Sequence, residues 1–190
     1  MSNAMVTGPV SGPDTDPVGR VGAVVYEPPL DASEIVNPAL ERLRRRGVRV
    51  GGLAQRFGPR EPGRRASMWV DHLETGRTIR LDRPRGPGAR ACVLDAGALA
   101  EAAIWLRETI DSAPPVISVN RFGHAEAEGD GMRAEIADAI VSGAVVLIAV
   151  RRRLLPDLER FLGAPPVLLP ADPAAIAAWA ESAAGLVAAG

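Results

Sequence analysis

Short, largely apolar runs recur along this chain with helix-length segments between them, and that alternation constrains the fold more than any other feature. Val21-Gly22-Ala23-Val24-Val25-Tyr26 is the first; residues 48–55, 116–119 and 145–150 are the others. Runs without in–out alternation suit strands buried on both faces of a parallel sheet. Between the first two, Ile35, Val36, Ala39, Leu40 and Leu43 recur at three- and four-residue steps, so residues 31–46 predict an amphipathic helix. Asp31 and Glu34 fit a capping box at its start, and Gly47 fits its left-handed stop. Residues 95–110 predict a second helix stopped by Pro114-Pro115, and residues 131–141 a third. A short helix at 156–161, an edge strand at 167–169 and an Ala-rich helix from Pro173 follow. Two further strand-like stretches flank Glu74-Thr75-Gly76, a hairpin signal. The pattern predicts an α/β fold, a three-layer α/β/α sandwich with a mostly parallel sheet and a β-hairpin extension at 67–82.

With 190 residues, the chain has the length of one domain. Met1-Ser2-Asn3-Ala4 ahead of Met5 reads as a cloning scar, and the Gly- and Pro-rich residues up to 18 as a flexible arm. A single α/β domain is expected over 19–190. The arm has no apolar signal-peptide core, and the longest greasy run falls short of a membrane span, so a cytoplasmic location and no membrane are expected. Twenty-two basic residues against 23 acidic ones leave a net charge of −1. With aromatic content of only 4%, that balance argues against nucleic acid as a partner, despite Arg56, Arg60, Arg64, Arg65 and the run Arg151-Arg152-Arg153. The lone Cys92 excludes a disulfide framework. Every basic residue is arginine, which removes lysine Schiff-base chemistry and any phosphate loop that needs a lysine.

In such folds ligands sit beyond the C-terminal ends of the strands. The rule singles out residues 27–31, 55–65, 120–131 and 151–153. The first of these, Glu27-Pro28-Pro29-Leu30-Asp31, occupies a phosphate loop's position without its chemistry. Two prolines lack N–H donors, no glycine shapes a cradle, and both acids repel a triphosphate. With Asp31 as cap, a carboxylate already occupies helix-terminal donors. This is a degenerate phosphate loop (Walker A).

Asn120-Arg121-Phe122-Gly123-His124-Ala125-Glu126-Ala127-Glu128-Gly129-Asp130-Gly131 follows a buried strand. Together with residues 47–55, Leu73-Glu74-Thr75-Gly76 and Cys92-Val93-Leu94-Asp95, it resembles a bacterial family, domain of unknown function 2478, from about Val21 to Leu169. Members are often encoded beside molybdate-transport genes, which implies oxyanion or molybdenum physiology. More distantly, the order of parts resembles the thermophile-type nucleoside triphosphatases, which implies a P-loop-NTPase-like fold. In those proteins a strand followed by Asp-Glu-Ile-Gly-x-x-Glu carries the acids that hold metal and activate water. Here Gly123 and Glu126 match that pattern, but Asn120 stands at the aspartate position and Arg121 at the adjacent glutamate position. The resemblance therefore implies a shared scaffold without triphosphatase chemistry.

The leading candidate site is Asn120, Arg121, Gly123, His124 and Glu126. Arg121 would grip an oxyanion bidentately, oriented by Asn120 and held by Glu126. The bland alternative has Asn120 in a turn, Arg121 paired structurally with Glu126, and His124 in solvent. Arg83, Arg85 and Arg90 lie on a loop that would close over an anion; Gly86-Pro87-Gly88-Ala89-Arg90-Ala91 mimics a dinucleotide fingerprint, but Pro87 removes an amide the motif needs. His124, Glu126, Glu128 and Asp130 would suit magnesium or manganese rather than zinc, but alternating acids among Ala and Gly occur readily in exposed turns and no second histidine lies nearby, so neither metal nor cofactor is expected. Cys92 reads as a small buried hydrophobe, and Trp69, Trp105 and Trp179 as core. The function expected is non-catalytic: small-ligand or oxyanion binding and regulation, tied to molybdate. Competing readings are a metal-dependent phosphotransferase or nucleotide hydrolase using Glu126 or Glu128, and a protein-interaction module.

Overall fold

The computed structural model of the chain describes residues 17–59, 66–83 and 93–186. Its main sheet joins β1 (Val21–Tyr26), β2 (Val50–Phe57), β3 (Met68–His72), β4 (Thr78–Arg80), β7 (Val116–Phe122), β8 (Val145–Arg151) and β9 (Val167–Leu169). A separate small pair joins β5 (Asp82–Arg83) and β6 (Val93–Leu94). The order across the main sheet is β4-β3-β2-β7-β8-β1-β9. From β2 to β9 all neighbours are parallel; β3 and β4 add an antiparallel edge, the hairpin extension that the sequence predicts.

Alternate residues of the central strands feed two separate cores. On one face Val21, Ala23, Ile117, Val119, Val146, Ile148 and Val150 pack with α2 (Ala96–Ser112), α4 (Arg133–Val141) and α5 (Leu155–Leu162). On the other, Val24, Tyr26, Val145, Leu147 and Ala149 pack with α1 (Ala32–Arg45) and α6 (Pro173–Ala183). Strands greasy on both faces thus become the middle of a three-layer sandwich, as their sequence requires. Gly22 has no side chain because a Cβ would fall 2.4 Å from the Trp179 ring.

Several local expectations are refined. Asp31 caps α1 by accepting from Ser33 N (2.8 Å) and Ser33 Oγ (2.7 Å), while Glu34 is exposed, so the cap runs through Ser33 rather than Glu34. The strand expected at 116–119 runs on to Phe122, and a one-turn helix, α3 (His124–Ala127), follows it. Val18, assigned to the arm, is buried in a turn that leads into β1. Of the tryptophans only Trp105 is fully buried; Trp69 and Trp179 lie at the margins. Arg60, Arg64, Arg65, Arg85, Arg90 and Cys92 lie outside the described residues.

Candidate functional site

A bulge at the end of β7 builds the site. Ser118 pairs with Leu147 but Arg121 with Ala149, so three steps on β7 match two on β8. The extra residue is Asn120, at φ 70°, a left-handed conformation that asparagine tolerates better than most residues. Because facing alternates by one residue, the insertion flips everything after it. Without it Phe122 would face away from the core in which it is now fully buried. Asn120 is steadied by Gln55, whose Oε1 accepts from Asn120 Nδ2 (3.4 Å) and whose backbone carbonyl accepts from Asn37 Nδ2 (2.9 Å).

Beyond the bulge the chain turns into α3 around a buried carboxylate. Glu126 accepts from Gly123 N (2.8 Å) and Met132 N (3.1 Å), and Arg133 Nη1 donates to its backbone carbonyl (2.8 Å). Gly131 closes the loop at φ 67°, where a Cβ would lie 2.3 Å from Glu126 Oε1. The expected Arg121–Glu126 pair gives way to this arrangement: Arg121 Nη2 instead meets Met68 Sδ at 3.4 Å. A carboxylate whose two oxygens are held by backbone amides is a loop clamp, poorly placed to move protons.

These residues wall a cleft of about 260 Å³ at the C-terminal ends of β7, β8 and β1. Asn120, Arg121, Gly123, His124 and Glu126 all line it, so the structure gathers these five predicted residues into one place. Arg83 goes elsewhere: its guanidinium bonds Asp95, the N-cap of α2, and this contact holds the Asp95 carboxyl below its ordinary range. Glu128 is exposed and outside the lining. The strand-end rule points to residues 151–153, but the leading candidate set leaves out Arg151 and Arg153, which line the cleft where β8 ends. Their position beyond a buried strand was the available signal. Arg153 Nη2 meets His124 Nε2 at 2.8 Å. Among the described residues, Arg121, Arg151 and Arg153 have no carboxylate partner. The cleft therefore carries uncompensated positive charge beside an acid already satisfied.

In the first loop and at the start of α1, three amides have acceptors within the turn. Leu30 N donates to Glu27 O (3.0 Å), Ser33 N to the Asp31 carboxylate, and Glu34 N to Asp31 O (3.1 Å). Arg152, at the start of the turn after β8, spends its charge on Glu27 (2.6 Å). Among the described residues no three His, Cys, Asp or Glu side chains gather as metal ligands would, and no helix is long and apolar enough to cross a membrane.

Sheet order, layers and the site's place at the strand ends define a P-loop-NTPase-like α/β domain. Its fold is similar to that of THEP1 from the hyperthermophile Aquifex aeolicus, with a TM-score of 0.54 at 16% identity over 81% of this chain and 91% of that one. The chain itself belongs to the family described as Protein of unknown function (DUF2478), whose pattern matches residues 21–179. A protein of Bradyrhizobium diazoefficiens, Molybdenum import ATP-binding protein ModC 2, is 35% identical over 171 residues, 90% of this chain. Those residues make up 19% of that relative, so the chain spans about a fifth of its length.

Proposed function

We propose that this domain binds a small anionic ligand without turning it over, and that binding serves a regulatory role in molybdenum physiology. The observation that carries the reading is the set Arg121, Arg151 and Arg153, free of carboxylate partners among the described residues, on one cleft where two adjacent parallel strands end. Guanidinium forks without a protein counter-ion suit the oxygens of a phosphate-like group. Two further observations support the non-catalytic part. In the first loop and at the start of α1 the amides of Leu30, Ser33 and Glu34 are engaged within the turn, and Glu126, the acid in the cleft lining, clamps its own loop. The molybdenum link rests on the relative named for molybdenum import, which contains a region like this one within a chain about five times longer. A nucleotide is a second candidate anion, favoured by the likeness to THEP1 and by the ATP-binding description of that relative.

The test is a thermal-shift screen of the full chain against molybdate, tungstate, sulfate, phosphate and ATP. At least one anion is expected to raise the Tm with no turnover, and Arg121→Ala to abolish the rise. Metal-dependent phosphate release from a nucleotide, lost in a Glu128→Gln variant that remains folded, would establish the hydrolase reading instead. No response to any anion would point to the protein-interaction module.

A further inference from the structure

The cleft is larger and greasier than a bare oxyanion needs. Its volume of about 260 Å³ approaches the low end of pockets for organic ligands, roughly 300–1,000 Å³. A tetrahedral oxyanion displaces only about two or three waters of ~30 Å³ each. The lining also divides by chemistry. Arg121, Arg151 and Arg153 come from the ends of β7 and β8, while Met68, Leu81, Leu94 and Leu99 come from the hairpin region, β6 and the start of α2. Leu94 leaves 44% of its surface exposed, an unsatisfied apolar wall beside a charged one. The two halves meet where the Arg121 guanidinium touches Met68 Sδ.

Resting on the anion-binding reading above, we infer that this cleft takes an organic anion: a phosphate-type head on an apolar or aromatic body. The head sits among the three guanidinium groups and the body lies against the leucines. Charge complementarity fixes the orientation, and burial of the body supplies affinity that the head alone lacks.

Calorimetric titration of the full chain with phosphate, methylphosphonate and phenylphosphonate tests this. Phenylphosphonate is expected to bind about tenfold more tightly than phosphate, with methylphosphonate between. Leu94→Ser combined with Leu99→Ser should erase most of that advantage while leaving phosphate affinity in place. Arg151→Ala should weaken all three alike. The ligand series on the unaltered chain decides the matter even if the double variant folds poorly. Equal affinity for phosphate and phenylphosphonate, as expected if another part of the chain covers the apolar wall, overturns this inference and leaves the anion-binding reading standing. Binding of none of the three overturns both.

Discussion

Glu126 shows how a residue can sit in a candidate site and still serve the fold. Its oxygens satisfy two backbone N–H groups that would otherwise be left wanting at a tight turn. Glu126→Gln replaces one acceptor oxygen with an NH2 that faces a donor, and should cost about 1–3 kcal/mol in urea unfolding. A variant as stable as the parent would contradict the clamp. Asp82 makes a second residue-scale case. The Arg80 fork (3.1 and 3.0 Å) and the Met68 amide (2.6 Å) hold its buried carboxyl below the ordinary aspartate range. Its contribution is therefore complete above about pH 4 and is lost as pH falls through the depressed folded value. Asp82→Asn should be less stable than the parent at pH 7, with the gap narrowing towards pH 3 in denaturant titrations. At this scale the sequence was legible in part. Asn120, Arg121, His124 and Glu126 could be assigned to one strand-end loop, but contact partners could not. The bulge at Asn120 and the clamp at Glu126 depend on register and loop closure, which residue type alone does not encode.

Among the elements, α1 and the hairpin carry the clearest consequences. The α1 cap rests on one side chain, so Asp31→Ala should lower stability by about 1 kcal/mol, whereas Asp31→Asn should change it little. The hairpin packs His72 beneath Trp105, with Thr75 Oγ1 and Thr109 Oγ1 at its two ring nitrogens (2.7 and 3.1 Å). Burial, and then the Arg77 charge, lower the His72 pKa against the opposing pull of Glu74 and Glu108. The unfolded chain therefore takes up this proton at a higher pH than the folded one. Stability should decline as pH drops below about 6.5 and level off below the folded value. His72→Gln should flatten that part of the pH–stability curve; an unchanged slope would mean that other groups set it. Helices and strands were the most legible part of the sequence because periodicity and caps are local. Asp95 and Asp172 both cap where the pattern predicts a helix start. The small pair β5–β6 escaped notice, since two-residue strands leave no periodic trace.

For the whole molecule, the sheet divides the chain into two cores and brings the ends of β1, β7 and β8 together. Strands apolar on both faces made the sandwich predictable, whereas strand order is a matter of long-range pairing. That order is why Arg151 and Arg153 join a site anchored some thirty residues earlier. In the Bradyrhizobium relative a region like this one occupies about a fifth of the chain. The measurement that bears most directly on the central claim is an anomalous difference map from crystals soaked in tungstate. The dominant peak should lie in the cleft within reach of Arg121, Arg151 and Arg153. A peak seated instead on the turn of Glu27 to Ser33, at the start of α1, would contradict the account.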